Sequence, residues 1–339
     1  MNSYERVMCV YEGKKPDSLP VVPIVREWCS RRAGIEFTDE LESVEKHVYS
    51  QSYCQSEFGY DVVWDLSGCH SESEAMGSRL KITKGHAPSV EKPAVGDYAA
   101  DLPKLRLFDP HQVPRLSMIL EGIRRLKARY HSEVPVIGYI QAPWRHACML
   151  RGPETAMRDI FKQKDKLAEL CEVALASLIP YAVALASAGV DIVQVSDPMS
   201  SGDAISKKHW EAWGFPLTRR LVDVLRRCGV KTFLHVCGDT TDRLESLAAT
   251  GVDCLSLDEA VDFEEARRIL GPAYTLMGNV STSLVAFGTP AEVKEATKEV
   301  IRKAGRDGHL IVSAGCLISD VSPPENVRAM IEAAREARL

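Results

Sequence analysis

His235 and Cys237, with Gly238 behind them, stand at the end of the apolar run KTFLHVCGD, and Cys316 closes a second such run, HLIVSAGC. One imidazole and two thiols form a ligand set that suits Zn²⁺. Residues two apart in a strand face the same side, so His235 and Cys237 can grip one ion together. Three protein ligands leave the fourth tetrahedral position open, which is the arrangement of a catalytic zinc rather than a structural one. The ligand types therefore predict a metal-assisted reaction centred on His235, Cys237 and Cys316. Glu27 and Glu259 are the candidates for a fourth ligand.

These residues need elements to position them. From residue 134 onward, short β-branched runs alternate with longer helical patterns. VPVIGYI precedes a helix expected over 154–187, and VDIVQVS one over 204–228. KTFLHVC precedes a short helix over 241–250, and VDCLSLD one over 263–270. TLMGNVS leads to 290–305 and HLIVSAG to 323–338. Alternation at this spacing implies parallel βαβ units. Thr289-Pro290 with Glu292 behind, and Ser322 before Pro323, read as helix starts. Adding VVPIV (21–25) and DVVWDL (61–66) brings the strands to about eight, the number of an α/β single-domain (β/α)8 TIM barrel over residues 1–339. A doubly wound sheet fits less well, because no Gly-x-Gly-x-x-Gly follows the first strand. Residues 67–114 are rich in Gly, Pro, Ser and charge. They read as a long rim insertion after the second strand, and as a lid. In a barrel, Cys237 and Cys316 fall at the C-terminal rim, where barrel enzymes carry their chemistry.

The 339 residues carry a net charge of -5, with 45% apolar and 26% charged residues. That is ordinary soluble composition. Mild acidity argues against nucleic acid as the main partner. The N-terminus is polar and lacks the features of a signal peptide. The apolar stretch Leu167–Ala188 is interrupted by Glu169, Glu172, Ser177 and Pro180, so it reads as a buried helix and not a membrane span. Ten scattered cysteines without secretory features point to the reducing cytoplasm. Composition leaves the oligomeric state open.

With these motifs in place, the chain resembles the uroporphyrinogen decarboxylase superfamily, and within it the zinc-dependent, corrinoid-linked methyltransferases. The resemblance runs through Tyr4-Glu5-Arg6-Val7, Pro16 to Val21, Leu234 to Asp239, Gly278-Asn279-Val280, Gly288-Thr289-Pro290, Ser313 to Cys316 and Pro323 to Val327. It implies a zinc on His235, Cys237 and Cys316 and a separate corrinoid protein whose cobalt gives or takes a methyl group. True uroporphyrinogen decarboxylases carry an arginine-rich N-terminal motif for the carboxylates of a tetrapyrrole. Here that region reads VREWCSRRAGI, so decarboxylation is the least expected activity.

Further rim positions follow from the strand assignments. Asp197, Glu259 and Asn279 follow later strands and are expected to orient substrate, although Asp and Asn also cap turns there. Arg145 and His146 follow the third strand. Trp28, Trp64 and Trp144 lie at or just beyond the ends of the first three strands. Together they would wall a flat apolar pocket suited to an aromatic ring. That favours a methoxylated aromatic as methyl donor, in an O-demethylation, with transfer from methyl-corrinoid to a thiol of the coenzyme M type as the alternative.

Overall fold

The structure, a computed structural model, describes residues 1–65 and 70–337. Its strands are β1 (Val63–Trp64), β2 (Arg79–Lys81), β3 (Ser89–Lys92), β4 (Val136–Gln141), β5 (Ile192–Ser196), β6 (Lys231–Val236), β7 (Cys254–Leu257), β8 (Thr275–Val280) and β9 (Leu310–Ala314). Seven of them form one parallel sheet in the order β1-β4-β5-β6-β7-β8-β9, while β2 and β3 make a separate antiparallel hairpin. β4, β5, β7 and β9 are buried along their whole length. Burial on both faces is why they read as near-continuous apolar runs rather than alternating ones.

The first expected strand shrinks to one ladder position, Val21 opposite Val312. Pro20 and Pro23 lack an N–H and cannot donate to a ladder. Residues 20–22 nevertheless bridge the two sheet edges. On the β9 side, Val312 N–H donates to the Pro20 carbonyl at 2.8 Å and Val22 N–H to the Val312 carbonyl at 2.9 Å. Toward β1, Asp61 N–H donates to the Val21 carbonyl at 2.9 Å. The second expected strand is also shorter than 61–66, and Leu66 lies outside the described residues.

Two expected helices are broken in two. The stretch 154–187 becomes Pro153–Lys162 and Lys164–Ala188, and 204–228 becomes Lys207–Trp213 and Phe215–Arg227. The predicted start at Thr289 is a full capping box: its side chain caps Glu292 N–H and the Glu292 carboxylate accepts from Thr289 N–H. At the last helix, Pro323 rather than Ser322 takes the cap position. Helix Lys164–Ala188 is long and apolar enough to cross a membrane by length and composition. It packs against Pro143–Arg151 and Phe215–Arg227 with Leu167, Leu170, Ala174 and Leu178 fully buried. That covered face is the reading made from its interruptions.

Residues 67–69, the start of the expected insertion, lie outside the described residues. The rest holds helix Ser71–Ala75, the β2–β3 hairpin and helix Tyr98–Asp101. The Glu72 carboxylate accepts from both the backbone and side-chain nitrogens of Gln141, each at 3.0 Å. This docks the stretch on the C-terminal end of β4.

Candidate metal centre

Parallel register brings Gln141, Ser196, His235 and Ser256 level across β4 to β7, so their side chains share one face of the sheet. His235 is 3% exposed. Its Nδ1 lies 3.0 Å from Ser256 Oγ, which leaves Nε2 toward the thiols. Cys237 follows at the end of β6. Gly238 turns the chain there at φ +78, a conformation that favours glycine, and a Cβ would stand 2.4 Å from Asp203 Oδ2. Cys316 arrives from the end of β9. A Cβ on Gly315 would come within 2.5 Å of the Glu259 backbone nitrogen, so only glycine lets this turn press against the strand β7 loop.

Cys237 Sγ and Cys316 Sγ are 3.6 Å apart, and they stand 3.4 and 3.5 Å from His235 Nε2. Zinc bonds of about 2.3 Å to sulfur and about 2.0 Å to nitrogen, at tetrahedral angles, place sulfurs about 3.8 Å apart and sulfur and nitrogen about 3.5 Å apart. The three atoms therefore have the spacing of three corners of a tetrahedral site. Shared hydrogen bonding between the sulfurs holds the Cys316 thiol well below its ordinary range and pushes Cys237 up. One thiolate forms easily and opposes a second, a conflict that a cation between them removes.

The cluster opens onto a cavity of about 200 Å³. Ile24, Trp64, Pro198 and Leu317 supply its apolar wall, while Gln194 and Ser196 stand beside His235. Two guanidiniums, Arg26 and Arg145, also line it. Arg145 is 8% exposed and donates from Nη1 to Ser196 Oγ at 2.8 Å and to the Tyr139 hydroxyl. Arg26 Nε also lies 3.7 Å from the Glu27 carboxylate. A cavity of this size lies below the usual range of about 300–1,000 Å³ for ligand pockets and suits a small molecule.

The other expected site residues disperse. Of the three tryptophans, Trp64 lines the cavity. Trp28 is buried against Phe58 with its Nε1 donating to the Ser322 carbonyl, and Trp144 packs on Trp213 with its Nε1 donating to the Met199 carbonyl. Asp197 is buried behind the cavity wall, where it accepts from the Ser200 hydroxyl and burial pushes its carboxyl up to about 7. Asn279 donates to the carbonyls of Asp258 and Val261, tying the β7 loop. Glu259 is exposed and accepts from Thr282 N–H. Glu27 lines a separate groove. His146 is fully buried against Ser73, and burial drops its imidazole to about 3. Arg26, Tyr139 and Gln194 line the cavity without standing out in the sequence motifs. Their signal was present: polar side chains in otherwise apolar runs, two residues apart, as at Gln194 and Ser196.

With this geometry established, comparison with known proteins identifies the lineage. Residues 2–337 match the uroporphyrinogen decarboxylase (URO-D) family. The chain is 30% identical to the methylcobamide:CoM methyltransferase MtbA of Methanosarcina mazei, over 83% of this chain and 81% of that protein. It is 28% identical to the uroporphyrinogen decarboxylase of Myxococcus xanthus, over 97% and 95%. A solved methyltransferase from Methanosarcina mazei superposes with a TM-score of 0.91 at 23% identity, covering 99% of both chains. The chain belongs to the uroporphyrinogen decarboxylase family, on its branch of corrinoid-linked methyltransferase enzymes.

Proposed function

We propose that this enzyme moves a methyl group between the cobalt of a corrinoid protein and a small anionic thiol of the coenzyme M class. The carrying observation is the tetrahedral spacing of His235 Nε2 and the two sulfurs beneath a cavity lined by Arg26 and Arg145. His235, Cys237 and Cys316 would hold a zinc ion. When bound, zinc lowers the pKa of a coordinated thiol and keeps a thiolate available at neutral pH. The chain's own groups do the rest. Ser256 fixes the histidine tautomer, Arg26 and Arg145 receive the anionic end, and the apolar wall excludes water from the sulfur.

Relatives named for coenzyme M transfer favour this direction over O-demethylation. The argument for an aromatic donor rested on three tryptophans, and Trp64 is the one that lines the cavity. The scaffold we propose is a complete (β/α)8 barrel with residues 20–22 as its eighth stave and 67–114 as a lid over the rim. All nine cysteines among the described residues are free, which supports work in the reducing cytoplasm.

The test combines metal analysis with turnover. The purified enzyme should contain one zinc per chain and demethylate free methylcobalamin when 2-mercaptoethanesulfonate is supplied. Full activity in zinc-free protein, or methylation of cob(I)alamin by aromatic ethers without any thiol reaction, would overturn the reading.

A further inference from the structure

The β2–β3 hairpin has the opposite charge sense to the rest of the chain. Between Arg79 and Lys92 it carries four cations, Arg79, Lys81, Lys84 and Lys92, against one anion, Glu91, in a protein of net charge -5. Glu91 answers Arg79 at 2.8 Å, and Glu36 answers Lys84 loosely at 3.9 Å. Among the described residues no carboxylate pairs with Lys81 or Lys92. Both lysines are exposed, and Ile82 between the strands is 49% exposed.

Its position matters as much as its charge. The hairpin leaves the helix that Glu72 pins to the C-terminal end of β4. At its tip, Gly85 shares a groove with Glu27, Arg31 and Asp320, the last in the loop that begins at Cys316. The hairpin therefore flanks the face onto which the metal cluster opens. Across that face, the loops after β6 and β7 carry Asp239, Asp258 and Glu259. One face thus bears the basic strands of the hairpin on one side, with Glu27, Glu36 and Asp320 confined to the groove at its tip, and acidic loops on the other side. Such a polarity steers an incoming protein and fixes its orientation.

We propose that the hairpin is the docking arm for the corrinoid-carrying protein and binds an acidic patch on it. This rests on the methyltransferase reading above. Cobalt bound to a macromolecule can reach the cavity only if its carrier covers this face, and the exposed Ile82 supplies an apolar contact among the cations. A partner docked through Lys81 and Lys92 would sit with its cofactor side over the cavity.

The test is the double variant Lys81→Glu/Lys92→Glu, assayed with two methyl sources. One is free methylcobalamin, and the other is a purified corrinoid protein carrying a methyl group on its cobalt. With the protein donor at low salt, kcat/KM should fall by at least ~10-fold, the loss shrinking as salt rises. With free methylcobalamin the variant should match the wild type. Equal rates with the protein donor would refute the docking arm, as would an equal loss with both donors, which would mean that the hairpin supports the cavity itself. If wild type fails to demethylate free methylcobalamin, the methyltransferase reading fails first, and the docking proposal falls with it.

Discussion

Ser256 Oγ sits 3.0 Å from His235 Nδ1, and both side chains are buried. This bond decides which ring nitrogen faces the two sulfurs. Groups behind a metal-ligating histidine typically tune metal affinity by about 10- to 100-fold. Ser256→Ala should therefore weaken zinc binding by about that factor, measured by chelator competition, with turnover largely restored at saturating zinc. Unchanged affinity would show that the bond orients nothing.

The three ligand atoms act as a set, so losing one sulfur should remove the function and spare the scaffold. Cys316→Ala is expected to abolish both stoichiometric zinc and methyl transfer. Its circular dichroism and melting profile should stay near those of metal-free wild type. A variant that retains transfer would take Cys316 out of the ligand set.

Arg26 separates charge recognition from chemistry. For Arg26→Gln, KM for 2-mercaptoethanesulfonate should rise by about tenfold, the typical worth of a charge-assisted hydrogen bond. The neutral 2-mercaptoethanol should show little change. Equal losses with both thiols would place Arg26 in the architecture of the cavity rather than in contact with the anion.

Asp65, which accepts from Tyr139 N–H at 2.8 Å, gives a pH prediction that does not involve the candidate ligands. Burial raises its carboxyl to about 7 from the ordinary 3.8. Between these values the unfolded chain ionises first, so wild-type stability should fall as pH rises from about 4 to about 7 and then level off. Below pH 4 the carboxyl is protonated in both states and costs nothing. Asp65→Asn should flatten this slope in denaturant titrations and gain most, relative to wild type, above pH 7. A slope unchanged in the variant would assign it to other groups.

Much of this was legible in the sequence, for identifiable reasons. Strands β4, β5, β7 and β9 are buried on both faces, so their β-branched runs stand out from the helical stretches. His235 and Cys237 share a face through the two-residue period, and Gly315 marks the close turn that brings in Cys316. The tryptophans were harder. Trp28 and Trp144 each sit in the helix after a rim position, and a helix residue can face any direction. Position after a strand could not reveal that both turn into the packing. The first strand is obscured by prolines that permit one ladder position where the run VVPIV suggests five.

The tight turn at Gly315 joins chain segments that lie far apart. The Cys237–Cys316 contact spans 79 residues, and the intervening chain includes β7 and β8. A filled site therefore works as a clasp around that stretch of the molecule, adding its binding free energy to the stability of the folded form. Amide exchange in β7 and β8 would slow on metal loading. If the site holds zinc as proposed, the lifetime of the protein in the cell would follow the free zinc around it.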